Sequence, residues 1–118
     1  MTEADIQIQL VDYLRLVAPQ RGFLFFACSN EAMGEARTGA GLGRMARLKR
    51  MGLRSGIADL VFVKDGRVYF LEMKRPGGKI SDNQANFGLD ATKSGAKYEV
   101  AWSFDEALKI LKMWAIIP

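Results

Sequence analysis

Apolar, β-branched and aromatic side chains form two short runs on either side of Asp65-Gly66. Runs of this composition favour β-strands, and Asp-Gly is typical of a two-residue type I′ turn because both turn positions need a positive φ. Counting back from such a turn places Asp59 opposite Glu72, and the alternation of side chains places Lys74 on the same face as Glu72. The pattern therefore predicts a β-hairpin that brings two carboxylates and an ammonium group together at its open end.

The hydrophobic pattern also predicts the elements around this hairpin. Helices are predicted over residues 2–22, 42–51, 81–95 and 103–114, and strands over residues 23–28 and 98–102. The first strand is expected to be buried because its apolar run is continuous, and a mobile glycine-rich loop is expected before the second helix. Both faces of the hairpin are apolar, so we expect an α/β fold whose central sheet is covered on both sides by helices.

Composition favours one globular domain over residues 1–118, with 49% apolar and 25% charged residues. The chain contains no uninterrupted apolar run of about 18 residues and begins with acidic residues, so we expect neither a membrane span nor a signal peptide. Cys28 is the single cysteine and cannot form an internal disulfide, which fits an intracellular, reducing setting.

The chain contains no histidine. This excludes Ser-His and Cys-His nucleophilic pairs, and with a single cysteine it also excludes a zinc cluster. Hydrolytic chemistry in this protein would depend on carboxylates, lysine and a hard metal ion.

Two opposed carboxylates at the margin of a covered sheet repel each other unless a cation neutralises them. A small cluster of oxygen ligands suits Mg²⁺ or Mn²⁺. The alternative is an ion triad, in which Lys74 bridges Asp59 and Glu72 without a metal.

Basic side chains are concentrated between residues 37 and 54, a segment without an acid. The six are Arg37, Arg44, Arg47, Lys49, Arg50 and Arg54. The whole chain has 17 basic and 13 acidic residues, so outside this segment 11 basic residues face 13 acidic ones. Such a segment in a protein with a candidate metal site indicates nucleic acid binding, whereas the alternative is a solvated charged face.

Three short motifs follow one another along the chain: Gly-x-x-Asp ending at Asp59, Glu-x-Lys ending at Lys74, and Ser-x-x-Gln ending at Gln84. Together with Glu-x-x-Ile-Gln at residues 3–7, they resemble the VRR-NUC family of the PD-(D/E)xK nuclease superfamily over about residues 3–114. Ala58 departs from the proline of the superfamily name. The resemblance implies a restriction-endonuclease-like αβββαβ core, which is a mixed central sheet flanked by helices.

The resemblance also implies site residues. Asp59 and Glu72 would bind Mg²⁺ or Mn²⁺, with the Met73 carbonyl as a further ligand and Glu3 as an outer one. Lys74 and Gln84 would join the two acids as catalytic residues. Predicted DNA contacts are the six basic residues above together with Arg75 and Lys79. Stand-alone members, typical of viruses and phages, form homodimers that cut branched DNA such as four-way junctions, so the resemblance implies a homodimer in a bacterial cytoplasm or an infected host cell.

Two of these residues have structural explanations as well. Glu3 lies in a first helical turn, where an acid interacts favourably with the helix dipole. Ser81 and Gln84 form a capping-box pattern, and a side chain bent back to the cap is not expected to reach the site.

The leading interpretation is a metal-dependent endonuclease acting on DNA. The main alternative is a DNA-binding protein that has a nuclease fold and does not cleave. An RNA-binding module is a weaker third interpretation, because the chain shows no set of exposed aromatic residues for stacking bases.

Overall fold

A mixed four-stranded sheet with four helices forms the part of the chain that the computed structural model describes, residues 1–28 and 39–118, with the helical backbone alone at residues 39–42. The elements in chain order are α1 (Glu3–Arg21), β1 (Leu24–Ala27), α2 (Gly39–Arg50), β2 (Leu60–Lys64), β3 (Arg67–Met73), α3 (Asp82–Lys93), β4 (Lys97–Ala101) and α4 (Phe104–Met113). This order confirms the predicted α/β fold with an αβββαβ core.

The sheet has the strand order β1-β2-β3-β4. The first two pairs are antiparallel, and β3 pairs with β4 in parallel. Asp65 and Gly66 have φ values of 51° and 76°, as a type I′ turn requires. Lys64 consequently pairs with Arg67, and the register runs without a slip to Leu60 opposite Leu71. The predicted hairpin and its register are confirmed.

Helices α1 and α4 cover one face of the sheet. The apolar side chains of α1 and α4 form a single buried core with Phe62, Leu71 and other inward-facing residues of β2 and β3. The ring of Tyr69 packs on that of Trp114, with centroids 5.2 Å apart. On the opposite face, α3 lays Phe87 against Phe70, with the two rings edge to face at 4.9 Å.

Two predictions about β1 and α2 are wrong. The first strand is not buried: Leu24 is 60% and Phe26 46% exposed. The reason is that β1 is an edge strand, and within residues 1–28 and 39–118 only its Phe25 face packs, against the Phe62 ring. The glycines predicted to form a loop lie in the first turns of α2, which begins at Gly39. Glycine lowers helix propensity by about 1 kcal/mol per residue but permits helical φ and ψ.

Helix α3 approaches the sheet closely because two glycines leave room for it. A Cβ atom on Gly88 would lie 2.7 Å from the ring of Tyr98, and a Cβ on Gly56 would overlap the backbone of Asn83 and lie 2.7 Å from the Gln84 nitrogen. Gly56 also has a φ of 79°, which disfavours other residues. The loop before β2 therefore lies directly against the first turn of α3. No helix among the described residues is both long and apolar enough to cross a membrane.

Candidate active site at the open end of the hairpin

Asp59 lies one residue before β2, and continuing the hairpin register places it opposite Glu72. In an antiparallel pair, wide and narrow positions alternate, and counting from the turn puts these two acids at a narrow, non-hydrogen-bonded position. An Asp59 carboxylate oxygen accepts a hydrogen bond from the Met73 amide at 2.8 Å, and the Asp59 carbonyl accepts one from the Cys28 amide at 2.9 Å. Asp59 is therefore fixed between the two neighbouring strands.

Glu72 is a buried acid, with only 2% of its surface exposed. The pKa of its carboxyl group is raised to about 9, chiefly by burial and also by the hydrogen bond and the negative charge of Asp59. The ammonium group of Lys74 lowers the pKa of Glu72, while the carboxylate of Glu3 raises it further. In the metal-free protein the two opposed acids therefore retain a proton at neutral pH.

Gln84 reaches both the helix cap and the acid pair, so the expectation that these roles compete is wrong. Its Oε1 accepts a hydrogen bond from the Ser81 amide at 2.9 Å, and its Nε2 donates one to Glu72 Oε2 at 3.3 Å. The Ser81 hydroxyl accepts a hydrogen bond from the backbone N–H of Gln84 at 3.1 Å, which completes the capping box of α3. A primary amide has an acceptor end and a donor end, so one side chain can serve both contacts.

Lys74 and Glu3 act on the acid pair through their charges. Lys74 follows β3, and its amide donates a hydrogen bond to the Ala101 carbonyl at 2.8 Å. A carboxylate oxygen of Glu3 lies 3.6 Å from the position that a Cβ on Gly78 would occupy. The described residues include no group of three or more carboxylate or thiol side chains placed to hold one metal ion. Within the described part of the chain, Asp59 and Glu72 are therefore a pair without a third carboxylate, and Glu3 affects this pair through its negative charge, which raises the pKa of Glu72.

Met73 presents its backbone to this pair. Its side chain is fully buried in the core, and its amide points toward Asp59. Because the N–H and C=O of one strand residue point to the same side of the strand, the Met73 carbonyl is directed to the same edge as Asp59. The two carboxylates and this carbonyl are hard oxygen donors, which is the ligand chemistry that Mg²⁺ and Mn²⁺ prefer.

Sequence reasoning did not single out Tyr98. Its hydroxyl oxygen is buried and has no hydrogen-bond partner among the described residues. Burial, together with the charges of Glu72 and Asp59, raises the pKa of Tyr98 to about 12, so the phenol stays protonated. Tyr98 pairs with Phe70 of β3, and Glu72 is two residues further along that strand, so the side chains of Tyr98 and Glu72 lie on the same face of the sheet. The glycine at position 88, which leaves space for an aromatic ring, is the signal that could have pointed to it.

The predicted DNA-binding residues are distributed over two surfaces. Arg44, Arg47, Lys49 and Arg50 are exposed on α2, and Arg75 and Lys79 are exposed in the loop after β3. Arg54 lies against α3: its guanidinium is 2.6 Å from Asp90 and lies over the ring of Phe87. Arg37 lies outside the described residues.

Comparison with known proteins gives one consistent result. Residues 3–105 match a family-wide sequence model described as "VRR-NUC domain". A solved structure described as a VRR_NUC domain protein superposes with a TM-score of 0.71 at 17% identity, over 97% of this chain and 88% of that one. A second, described as a VRR_NUC domain, has a TM-score of 0.60 at 22% identity, over 97% of this chain and 99% of that one. At these identities the structures show a shared fold. No match is found among curated proteins.

We expect the metal-free protein to lose stability as the pH rises from about 4.5 toward 9. The folded protein holds a proton on Glu72 that the unfolded chain, with an ordinary carboxyl pKa of 4.5, releases. This contribution is fully present below pH 4.5 and is lost as the pH rises through the folded-state pKa. Urea unfolding in EDTA over this pH range measures it. Glu72→Gln should flatten the decline, and an equally steep decline in that variant would contradict the assignment.

Proposed function

This chain belongs to the VRR-NUC domain family, and on that premise we propose that it is a metal-dependent endonuclease that hydrolyses phosphodiester bonds of DNA. Family membership makes it a nuclease-type domain. The observation that carries the proposal is the buried carboxyl group of Glu72, held opposite Asp59 and contacted by Gln84. A fold gains no stability from a buried acid placed opposite a second, half-buried acid, so their presence is better explained by a cation that they bind.

Asp59, Glu72 and the Met73 carbonyl are the groups that would hold Mg²⁺ or Mn²⁺. Two carboxylates with the remaining positions taken by water are typical of a Mg²⁺ site. Glu3 would act as an outer group. When bound, the metal ion lowers the pKa of a coordinated water and stabilises negative charge on the phosphate oxygens.

The chain supplies the other parts of the reaction. Glu72 must release its proton before it can serve as an anionic ligand, and the field of Lys74 favours that release. The Nζ atom of Lys74 would orient or deprotonate the attacking water and offset charge in the transition state. The Nε2 atom of Gln84 holds the Glu72 carboxylate from the α3 side.

DNA would be held by the basic side chains of α2 and of the loop after β3. Electrostatic contacts to phosphates are independent of sequence, so these residues support affinity for branched or duplex DNA without base preference. We further propose a homodimer that acts on four-way junctions in an intracellular setting, as the family resemblance implies. A two-fold dimer would supply one acid pair for each of two strands.

Cleavage of labelled DNA is the direct test of this function. The parent should cut a four-way junction in Mg²⁺ or Mn²⁺, should be inactive in EDTA, and should cut a linear duplex of the same sequence less. Asp59→Asn and Glu72→Gln should stay folded and lose activity by several orders of magnitude, as when one member of a catalytic unit is removed. Junction binding by the parent without any product would instead indicate a non-cleaving DNA-binding protein.

The basic helix should control affinity and not chemistry. Replacing Arg47, Lys49 and Arg50 by Gln should weaken DNA binding and reduce the slope of log K against log salt by about 0.9 for each phosphate that the protein no longer neutralises. Cleavage at saturating DNA should persist. A matched control removes three exposed basic residues from the other helices, Arg15, Lys93 and Lys109. Equal slopes for the two triple variants would assign the α2 charges to a solvated face.

A further inference from the structure

We propose that Ser81 is a positioning residue whose backbone N–H fixes the orientation of the Gln84 amide, so that this side chain presents a hydrogen-bond donor to Glu72. The geometry consists of the three hydrogen bonds that join Ser81, Gln84 and Glu72. The consequence for catalysis rests on the proposed nuclease function, whereas the positioning itself can be measured without cleavage.

A primary amide can turn by half a rotation and exchange its oxygen and nitrogen at almost no cost in shape. Its surroundings decide which end faces which neighbour. The Ser81 backbone N–H can only donate, so it selects Oε1 of Gln84 at 2.9 Å. The NH₂ group is then directed to Glu72 Oε2 at 3.3 Å.

The inverted amide would be unfavourable at both ends. Two N–H donors would face each other at Ser81, and the Gln84 oxygen would face a carboxylate oxygen of Glu72. Without the Ser81 N–H, only the weaker hydrogen bond to Glu72 would select the orientation. Ser81 therefore acts on the acid pair through Gln84, without touching the pair itself.

Helix capping alone does not explain an amide at position 84. The capping box of α1 has the same geometry, with the Thr2 amide donating to Asp5 at 2.9 Å and the Thr2 hydroxyl accepting from the Asp5 amide at 3.1 Å. A carboxylate performs that task at Asp5, and glutamate is as suitable as glutamine in a capping box. What the amide adds at position 84 is a donor, and Glu72 receives it.

The turn that holds this arrangement is itself fixed. The first turn of α3 lies against Gly56, where no Cβ would fit beside the backbone of Asn83 and Gln84. Since Gly56 lies three residues before Asp59 in the loop that leads to β2, the two sides of the site share one backbone contact. The Gln84 side chain thus extends from a turn that packs directly against the loop leading to Asp59.

Two substitutions at Ser81 separate the N–H from the hydroxyl. Ser81 has a φ of −74°, which proline adopts without strain, so Ser81→Pro removes both groups at an acceptable backbone conformation. Ser81→Ala removes the hydroxyl alone and is the matched control. Ser81→Thr keeps both groups and should behave as the parent.

The first readout is nuclear magnetic resonance of metal-free, isotope-labelled protein. In the parent we expect a scalar coupling across the hydrogen bond between the Ser81 nitrogen and the Gln84 side-chain carbonyl carbon. We also expect the NH₂ signals of Gln84 to be shifted from their free values in the parent. Ser81→Ala should keep both the coupling and this shift, and Ser81→Pro should lose both. Absence of the coupling in the parent would overturn the inference, even if Ser81→Pro failed to fold.

The second readout is the single-turnover rate at saturating junction DNA and Mg²⁺. Ser81→Ala should keep the parental rate and lower the melting temperature, while Ser81→Pro should reduce the rate by up to ~10²-fold, the effect of losing a positioned donor. Equal rates and equal Gln84 signals in the two variants would overturn the inference. If the parent cut no DNA at all, the nuclease proposal would fail, and the resonance comparison would still decide the role of Ser81.

Discussion

Asp59 and Glu72 oppose each other at a narrow position of one hairpin, and the other features of the site follow from that opposition. The type I′ turn at Asp65-Gly66 sets the register, and the register sets the opposition. Because Glu72 is also buried, the pKa of its carboxyl group is raised to about 9, with burial as the largest cause and Asp59 as the next. The metal-free site therefore holds a proton at neutral pH, at the pair of acids where the proposed metal ion would bind.

The remaining interactions keep that pair in place. Helix α3 is the main support, because Gly56 lets the loop before β2 pack directly on its first turn and Arg54 binds to its Asp90. The same first turn carries Gln84, which reaches back to Glu72. One helix thus positions the loop that leads to one acid and the side chain that contacts the other. The motif glycine and the motif glutamine, 28 positions apart in the sequence, meet at the same turn.

The sequence allowed the hairpin to be predicted in detail because a two-residue turn leaves no freedom in register. It did not reveal that Leu24 and Phe26 are exposed, since a continuous apolar run has the same appearance in an edge strand as in a central one. The start of α2 at Gly39 was missed because glycine is a weak helix former rather than a forbidden one. The double role of Gln84 was missed because a motif records which residue is present and not which end of its amide faces a neighbour. Tyr98 was missed because no local pattern links it to Glu72.

Whether the acid pair binds a metal ion can be decided by locating Mn²⁺ through anomalous diffraction from crystals of the parent protein. We predict an anomalous peak at coordination distance from carboxylate oxygens of both Asp59 and Glu72, with the Met73 carbonyl facing the same ion. Crystals of Glu72→Gln, grown and soaked in the same way, should show a weaker peak or none. A parent site in which the ammonium of Lys74 bridges both carboxylates and Mn²⁺ binds only elsewhere would contradict the metal assignment and make the pair part of an ion triad.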